Sequence, residues 1–190
     1  MTSEFDLQHL RLDATQRGKW NIGFFIAGLI FWSFAAYVGV HFELAIARTY
    51  WLVGSFLIFP VAVASSYLVG ADPFTRGNSL GELVGYTHMS VITMTFPLVL
   101  WSYFFKPELM LLVMAIVYCV DFYVMTWAFD TPLFGAHAAA RTVAASLIWF
   151  AIPDWRFSVL PAMIAVFYLA TILLNYGLRA RWLARQRARA

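Results

Sequence analysis

Charge is scarce in this chain, and cysteine scarcer still. Asp, Glu, Lys and Arg make up 12% of the 190 residues, about half of what a soluble domain usually carries. Cys119 is the single cysteine, which excludes an internal disulfide and any multi-cysteine metal site. The first 18 residues contain no apolar stretch, so a cleavable signal peptide is not expected and the first span must itself direct insertion. No glycine-rich phosphate loop, nucleophile elbow, Walker pattern or HExxH spacing occurs, so no familiar catalytic motif points to a reaction. No internal repeat is visible, and with it is missing the inverted-repeat signature of many secondary transporters.

What the chain has in abundance is apolar surface, with 62% of its residues hydrophobic. No soluble core of this length hides that much, so lipid must be the solvent for much of it. Six runs are long enough to cross about 30 Å of hydrocarbon as helices. They lie at about 20–40, 49–69, 80–104, 108–129, 132–152 and 157–178. The runs are continuously apolar rather than alternating, which excludes barrel strands. The expected fold class is all-α, a single transmembrane bundle over 1–190. Residues 1–19 form its amino-terminal cytoplasmic segment and 179–190 a basic cytoplasmic tail.

Local signals support these boundaries. Ser79 with Glu82 reads as a capping box opening the third span, and Thr131-Pro132 as the start of the fifth. Pro60, Pro97 and Pro161 fall within runs, where lipid-embedded helices tolerate them. Arg11, Arg17, Lys19, Arg76 and the tail arginines 179, 181, 185, 187 and 189 fall on one side of a six-span topology. Only Arg48, Lys106 and Arg156 flank the other, which by the positive-inside rule places both termini in the cytoplasm. Seven of the eight tryptophans lie near span ends, as in interfacial belts, and Trp32 alone is central. Gly23 and Ala27, Ala35 and Gly39, and the alanine-rich fifth span suggest close helix contacts, within one chain or in a homo-oligomer. The basic tail suits anionic lipid headgroups better than nucleic acid.

The embedded polar residues are few. Measured from the inner end of each span at about 1.5 Å per residue, His88, Asp121 and Arg141 all reach a depth of roughly 12–13 Å. His137, Glu82 and Tyr86 come nearer the same end. Depth alone thus describes a polar vestibule on the cytoplasmic side. Its sharpest form is an Asp121–Arg141 ion pair with His88 beside it. Three readings stay open: a pair that ties two helices together, a ligand site with Arg141 as anion clamp and Asp121 or His88 handling a proton, or an Arg141 that snorkels to the interface. No metal site is expected, and no cofactor is indicated.

Several pieces, Leu10-Arg11-Leu12-Asp13, Arg17-Gly18, Gly28-Leu29-Ile30-Phe31-Trp32, Arg76-Gly77-Asn78-Ser79-Leu80-Gly81 and Phe134-Gly135-Ala136-His137, resemble a family of uncharacterised small bacterial membrane proteins. The resemblance implies six helices and a bacterial inner membrane, and assigns no activity. Three functions remain: binding or transport of a small solute through a cytoplasm-facing pocket, an intramembrane enzyme acting on a lipid or quinone-like substrate, and a non-catalytic scaffold or subunit.

Overall fold

A computed structural model of the chain describes residues 2–188, of which side-chain surroundings are described for 6–186 and 188. Among these residues the chain is helical, without strands. Its helices are α1 (Thr2–Gly18), α2 (Ile22–His41), α3 (Leu44–Leu68), α4 (Ser79–Phe105), α5 (Met110–Val117), α6 (Phe122–Ala128), α7 (Leu133–Ala151) and α8 (Arg156–Arg187). Six segments are long and apolar enough to cross a membrane, with α1–α2 and α5–α6 each counting as one. The fold class read from the sequence therefore holds, although the first segment begins and the last ends well beyond the apolar runs, at Asp6 and Gln186.

The centre of the bundle is α2, which packs along both α3 and α8. Small residues make this possible. A Cβ added at Gly23 would collide with Ser66 and the Ala62 carbonyl of α3, and one at Gly39 with the Phe157 carbonyl of α8. In lipid, where apolar burial between helices gains little, such close backbone contact supplies much of the attraction. Helix α7 packs on α8 and α6, so the alanine-rich helix is a neighbour of the centre rather than the centre itself. Helix α4 stands apart with only a small share of its surface buried.

The tryptophans depart from the expected belts. Trp20, Trp51, Trp149 and Trp182 join central Trp32 in the buried core, while Trp101, Trp127 and Trp155 are exposed. Two of the buried rings find hydrogen-bond partners for their indole N–H. Trp51 donates to the Ala35 carbonyl at 3.2 Å and Trp20 to Thr15 Oγ1 at 3.1 Å. A ring with a satisfied N–H loses little by leaving the interface.

The polar amino-terminal segment is itself a helix, α1, joined to α2 by a sharp bend. Lys19, Trp20 and Asn21 all adopt left-handed backbone, at φ 48°, 54° and 54°. Each such residue costs on the order of 1 kcal/mol. Trp20 offsets this by packing edge-on against Phe134 and Trp182, and Lys19 Nζ donates to the Val69 carbonyl at 2.6 Å. The bend lays α1 against α4 and α8. Arg11 there donates to the Trp127 carbonyl at the end of α6, at 2.8 Å, where a cation suits the helix dipole.

The 70–78 loop is clamped to α1 by one connected network. Arg17 donates to Asp72 at 2.7 Å, to Asp13 at 3.2 Å and to the Arg76 carbonyl at 3.0 Å. Asn78 donates to Asp13 at 2.8 Å and to the Leu10 carbonyl at 2.9 Å, while its own Oδ1 accepts from Gly81 N–H. Asn78, not Ser79, is therefore the N-cap of α4. Glu82 reaches back to Gly77 N–H at 2.9 Å, two residues earlier than a capping box over Ser79 requires. The amide side chain wins the cap because it satisfies helix donor and α1 acceptors together. Glu43 and Arg48, which could have paired, do not. Glu43 precedes α3, and Arg48 donates to the Tyr103 carbonyl and lies over its ring.

Two outcomes are expected. Asn78→Ala should lower stability by roughly 2 kcal/mol, read by thermal unfolding in mild detergent, because it removes a cap and two further hydrogen bonds. Burial pushes the Asp72 carboxyl up, but hydrogen bonds from Arg17 and from the Phe74 and Thr75 amides outweigh it and hold it below its ordinary 3.8. A depressed carboxyl stabilises the fold above its unfolded value and stops doing so as pH falls through the folded one. Stability in wild type should therefore fall below about pH 4, and Asp72→Asn should show a weaker fall over the same range.

Candidate functional site

Asp121 owes its place to a break that continuous apolarity did not announce. The expected fourth span divides into α5 and α6, and residues 118–121 form turns between them. Here the amides of Cys119, Val120 and Phe122 bond three residues back rather than four, at 3.4, 3.5 and 3.2 Å. Such loosening strands carbonyls, which in lipid must find donors. Cys119 Sγ donates to the Ile116 and Ala115 carbonyls at 3.2 and 3.6 Å, while the Met114 carbonyl, already bonded by the Tyr118 amide, also accepts from Arg141 Nη2 at 3.2 Å. Cys119 thus has a backbone-capping role beyond filling the core.

At this break the Asp121 carboxylate, 3% exposed, meets His88 of α4. Their Oδ2 and Nδ1 atoms are 2.6 Å apart. A carboxylate accepts, so the ring proton sits on Nδ1, and Nε2 is the nitrogen left for another partner. Phe24 of α2 lies edge-on against the imidazole, ring centres 4.9 Å apart.

Arg141 does not pair with Asp121, contrary to the expectation from depth. It is wholly buried and makes no ion pair among the described residues. Its Nη1 donates to the Tyr168 hydroxyl at 2.8 Å, and its guanidinium lies over the Trp32 and Tyr168 rings. The snorkelling reading fails as well, because the side chain ends inside the bundle. Depth along a span is readable from sequence, whereas helix rotation is not, and rotation gave Asp121 to His88.

The remaining expected residues divide. His137 turns into an aromatic enclosure with Phe122 and Tyr168, at ring centres 5.2 and 4.8 Å, and its Nδ1 lies 2.7 Å from Thr171 Oγ1. It does not join His88. Glu82 and Tyr86 sit on the exposed face of α4, Tyr86 at 71% exposure, yet both border the same hollow as His88. No group of three or more His, Cys, Asp or Glu able to hold a metal occurs among the described residues.

Two hollows meet at the pair. The outer one, about 300 Å³, runs from Asn21, Phe74 and Arg76 past Gly85 to His88 and Asp121. The inner one, about 180 Å³, continues between α2, α3 and α4 to Trp32, Ser55, Tyr118 and Tyr168. They share Phe24, Phe59, His88, Met89, Asp121 and Phe122. Their walls are mostly apolar, so the polar vestibule expected from depth is an apolar passage with one hydrogen-bonded pair at its waist. Tyr168 is the lining residue that was missed. It was legible in principle, since Tyr168, Thr171 and Asn175 recur at helical spacing on the buried face of α8.

The fold and the site define a multi-pass helical membrane protein with an apolar hollow between a loosely packed helix and its bundle. The chain belongs to DUF7010, a family of unknown function whose pattern matches residues 7–177. No curated protein and no solved structure matches the chain.

The corrected pairing makes a direct prediction. A double-mutant cycle on His88→Ala and Asp121→Asn, followed by thermal unfolding, should give a coupling of roughly 1.5–3 kcal/mol, as for a charge-assisted hydrogen bond. The corresponding Asp121 and Arg141 cycle should give clearly less.

Proposed function

We propose that this protein binds an amphiphilic, lipid- or quinone-like molecule in the hollow beside α4, and that His88 exchanges a proton with it. The observation that carries this reading is the His88–Asp121 pair at the waist of an otherwise apolar passage. Asp121 holds the imidazole by Nδ1 and leaves Nε2 for a ligand, the arrangement a general base requires. An apolar wall with few polar groups suits a lipid-soluble ligand better than the hydrophilic solute that transport would carry. The sparse packing of α4 supports entry from the bilayer between α4 and its neighbours.

The charge distribution supports a cytoplasmic location for both ends. Arg11, Arg17 and Lys19 lie in or just after α1, Arg76 on the loop clamped to it, and Arg179, Arg181 and Arg185 at the end of α8, which reaches α1. Arg48 and Lys106 lie toward the opposite end, near Tyr103. In this orientation the outer hollow opens toward the inner leaflet, in a bacterial cytoplasmic membrane by the resemblance above, and the tail arginines meet anionic headgroups. Of the tail, Arg189 lies outside the described residues.

Gly85 provides a test that leaves the fold intact. A Cβ at this position, on the wall of the outer hollow, meets nothing within 4 Å, so Gly85→Phe has room at its root and sets a ring at the mouth of the hollow, and replacing a mid-helix glycine does not weaken α4. Extraction of protein purified in mild detergent, followed by mass spectrometry, should recover a stoichiometric amphiphile from wild type and little from Gly85→Phe, at unchanged melting temperature. Equal recovery from both, or none from wild type, contradicts the reading.

A further inference from the structure

Arg141 is a wholly buried cation whose charge no carboxylate contacts among the described residues. Its Nε makes no hydrogen bond. Leaving such a charge beneath lipid is costly, and where it is kept it is usually used. Its one side-chain hydrogen bond goes to the Tyr168 hydroxyl. That oxygen accepts from Arg141, so its own O–H is left to donate, and a positive charge behind it makes it a stronger donor. Tyr168 lines the inner hollow together with Gly28, against which its ring is pressed so closely that a Cβ there would overlap it. Trp32, one turn on from Gly28, lines the same hollow and lies under the Arg141 guanidinium. The cation is therefore walled off from the hollow by two aromatic rings and presented to it through one phenol.

Across the hollow stands the His88–Asp121 pair. Neighbours that bear on its charge are Tyr168 and Tyr118 on the wall of the inner hollow, Arg141 behind Tyr168, and Glu82 and Arg76 in the outer hollow. With Asp121 ionised and His88 neutral, the Asp121 and Arg141 charges cancel, although the two side chains do not touch. Uptake of one proton by His88 leaves a surplus positive charge that an anion in the inner hollow would balance.

From this we infer that the inner hollow is built for the anion of a weak oxygen acid, a carboxylic acid or phenol carried on an apolar chain. The inference rests on the amphiphile reading above and deepens it by naming the headgroup. The ligand's O–H bond breaks, its electron pair stays on the ligand oxygen, and the proton forms a bond to His88 Nε2. The imidazolium then donates from Nδ1 to Asp121, and the ligand oxygen accepts from the Tyr168 hydroxyl. No oxidant or further reactant is needed.

Four probes separate the possibilities: oleic acid and its methyl ester, and a long-chain alkylphenol and its methyl ether. Binding to purified protein in mild detergent is followed by tryptophan fluorescence, with a pH indicator in weak buffer at pH 8. At least one acid should bind about 10-fold or more tighter than its neutral partner, as a charge-assisted hydrogen bond provides. Tyr168→Phe should remove most of that preference and leave the ester and ether within about 2-fold of wild type. Oleate, already an anion in solution, should take up close to one proton per molecule bound, whereas the phenol should take up none. His88→Gln should abolish the uptake. The proton count is made on wild type, so it decides even where Tyr168→Phe is poorly folded. Acids and neutral partners binding alike, or oleate binding without proton uptake, would overturn the headgroup assignment while amphiphile binding stands. If none of the four binds, the amphiphile reading falls with it.

Discussion

A carboxylate below the headgroups of a bilayer has no water to solvate it, so it is neutralised, paired or absent. In this protein Asp121 is kept, and the hydrogen bond to His88 is what keeps it. That bond joins α4, the least buried of the spanning helices, to the α5–α6 break. Both residues lie where the two hollows meet, and the bond leaves the Nε2 of the imidazole for another partner. Arg141 follows from the same constraint. With its guanidinium turned to Tyr168 and the Met114 carbonyl, it ties α7 to α8 and to the end of α5 and places a cation behind the inner wall.

The polar end of the bundle serves this arrangement from a distance. Without the left-handed bend at Lys19, Trp20 and Asn21, α1 would run on away from the bundle instead of folding across it. With the bend, Arg17, Asp13, Asn78 and Asp72 lock together, and the loop that begins α4 is set in place. His88 stands on α4 nearly three turns beyond Asn78, so its approach to Asp121 depends on how firmly α4 is anchored below. Between lock and pair Leu80 and Val84 pack into the core, while Gly85 beside them leaves open the wall of the outer hollow. Rigid ends and an unpacked middle are what a helix needs if a chain-like ligand is to slip in beside it.

How much of this was legible in the sequence depends on which quantity is asked for. Continuous apolar runs set the number of spans, because length against bilayer thickness is a one-dimensional question, but not where the first and last helices end, since α1 and the end of α8 continue as polar helix. Depth is another, and it brought His88 and Asp121 to one level. Rotation is not one-dimensional. His137 and Arg141, one turn apart, mark the inward face of α7, but nothing in the sequence shows which neighbour that face meets, and Arg141 was given the wrong partner. The break at 118–121 lay hidden for a similar reason. Its run, Tyr118-Cys119-Val120-Asp121, holds neither glycine nor proline, and the carbonyls there are met by the thiol of Cys119, a residue that reads in sequence as one more apolar position. The tryptophans misled in the opposite sense, since closeness to a span end in sequence does not separate a ring at the interface from one turned into the core.

The most direct measurement of the central pairing is the magnetic resonance spectrum of the isotope-labelled imidazoles in membranes. The chain has four histidines, and substitution assigns the signal of His88. The account predicts a protonated, strongly hydrogen-bonded Nδ1 for His88, with a proton shift that Asp121→Asn moves and Arg141→Gln leaves nearly in place. A His88 signal carrying its proton on Nε2, or one indifferent to Asp121→Asn, would contradict it.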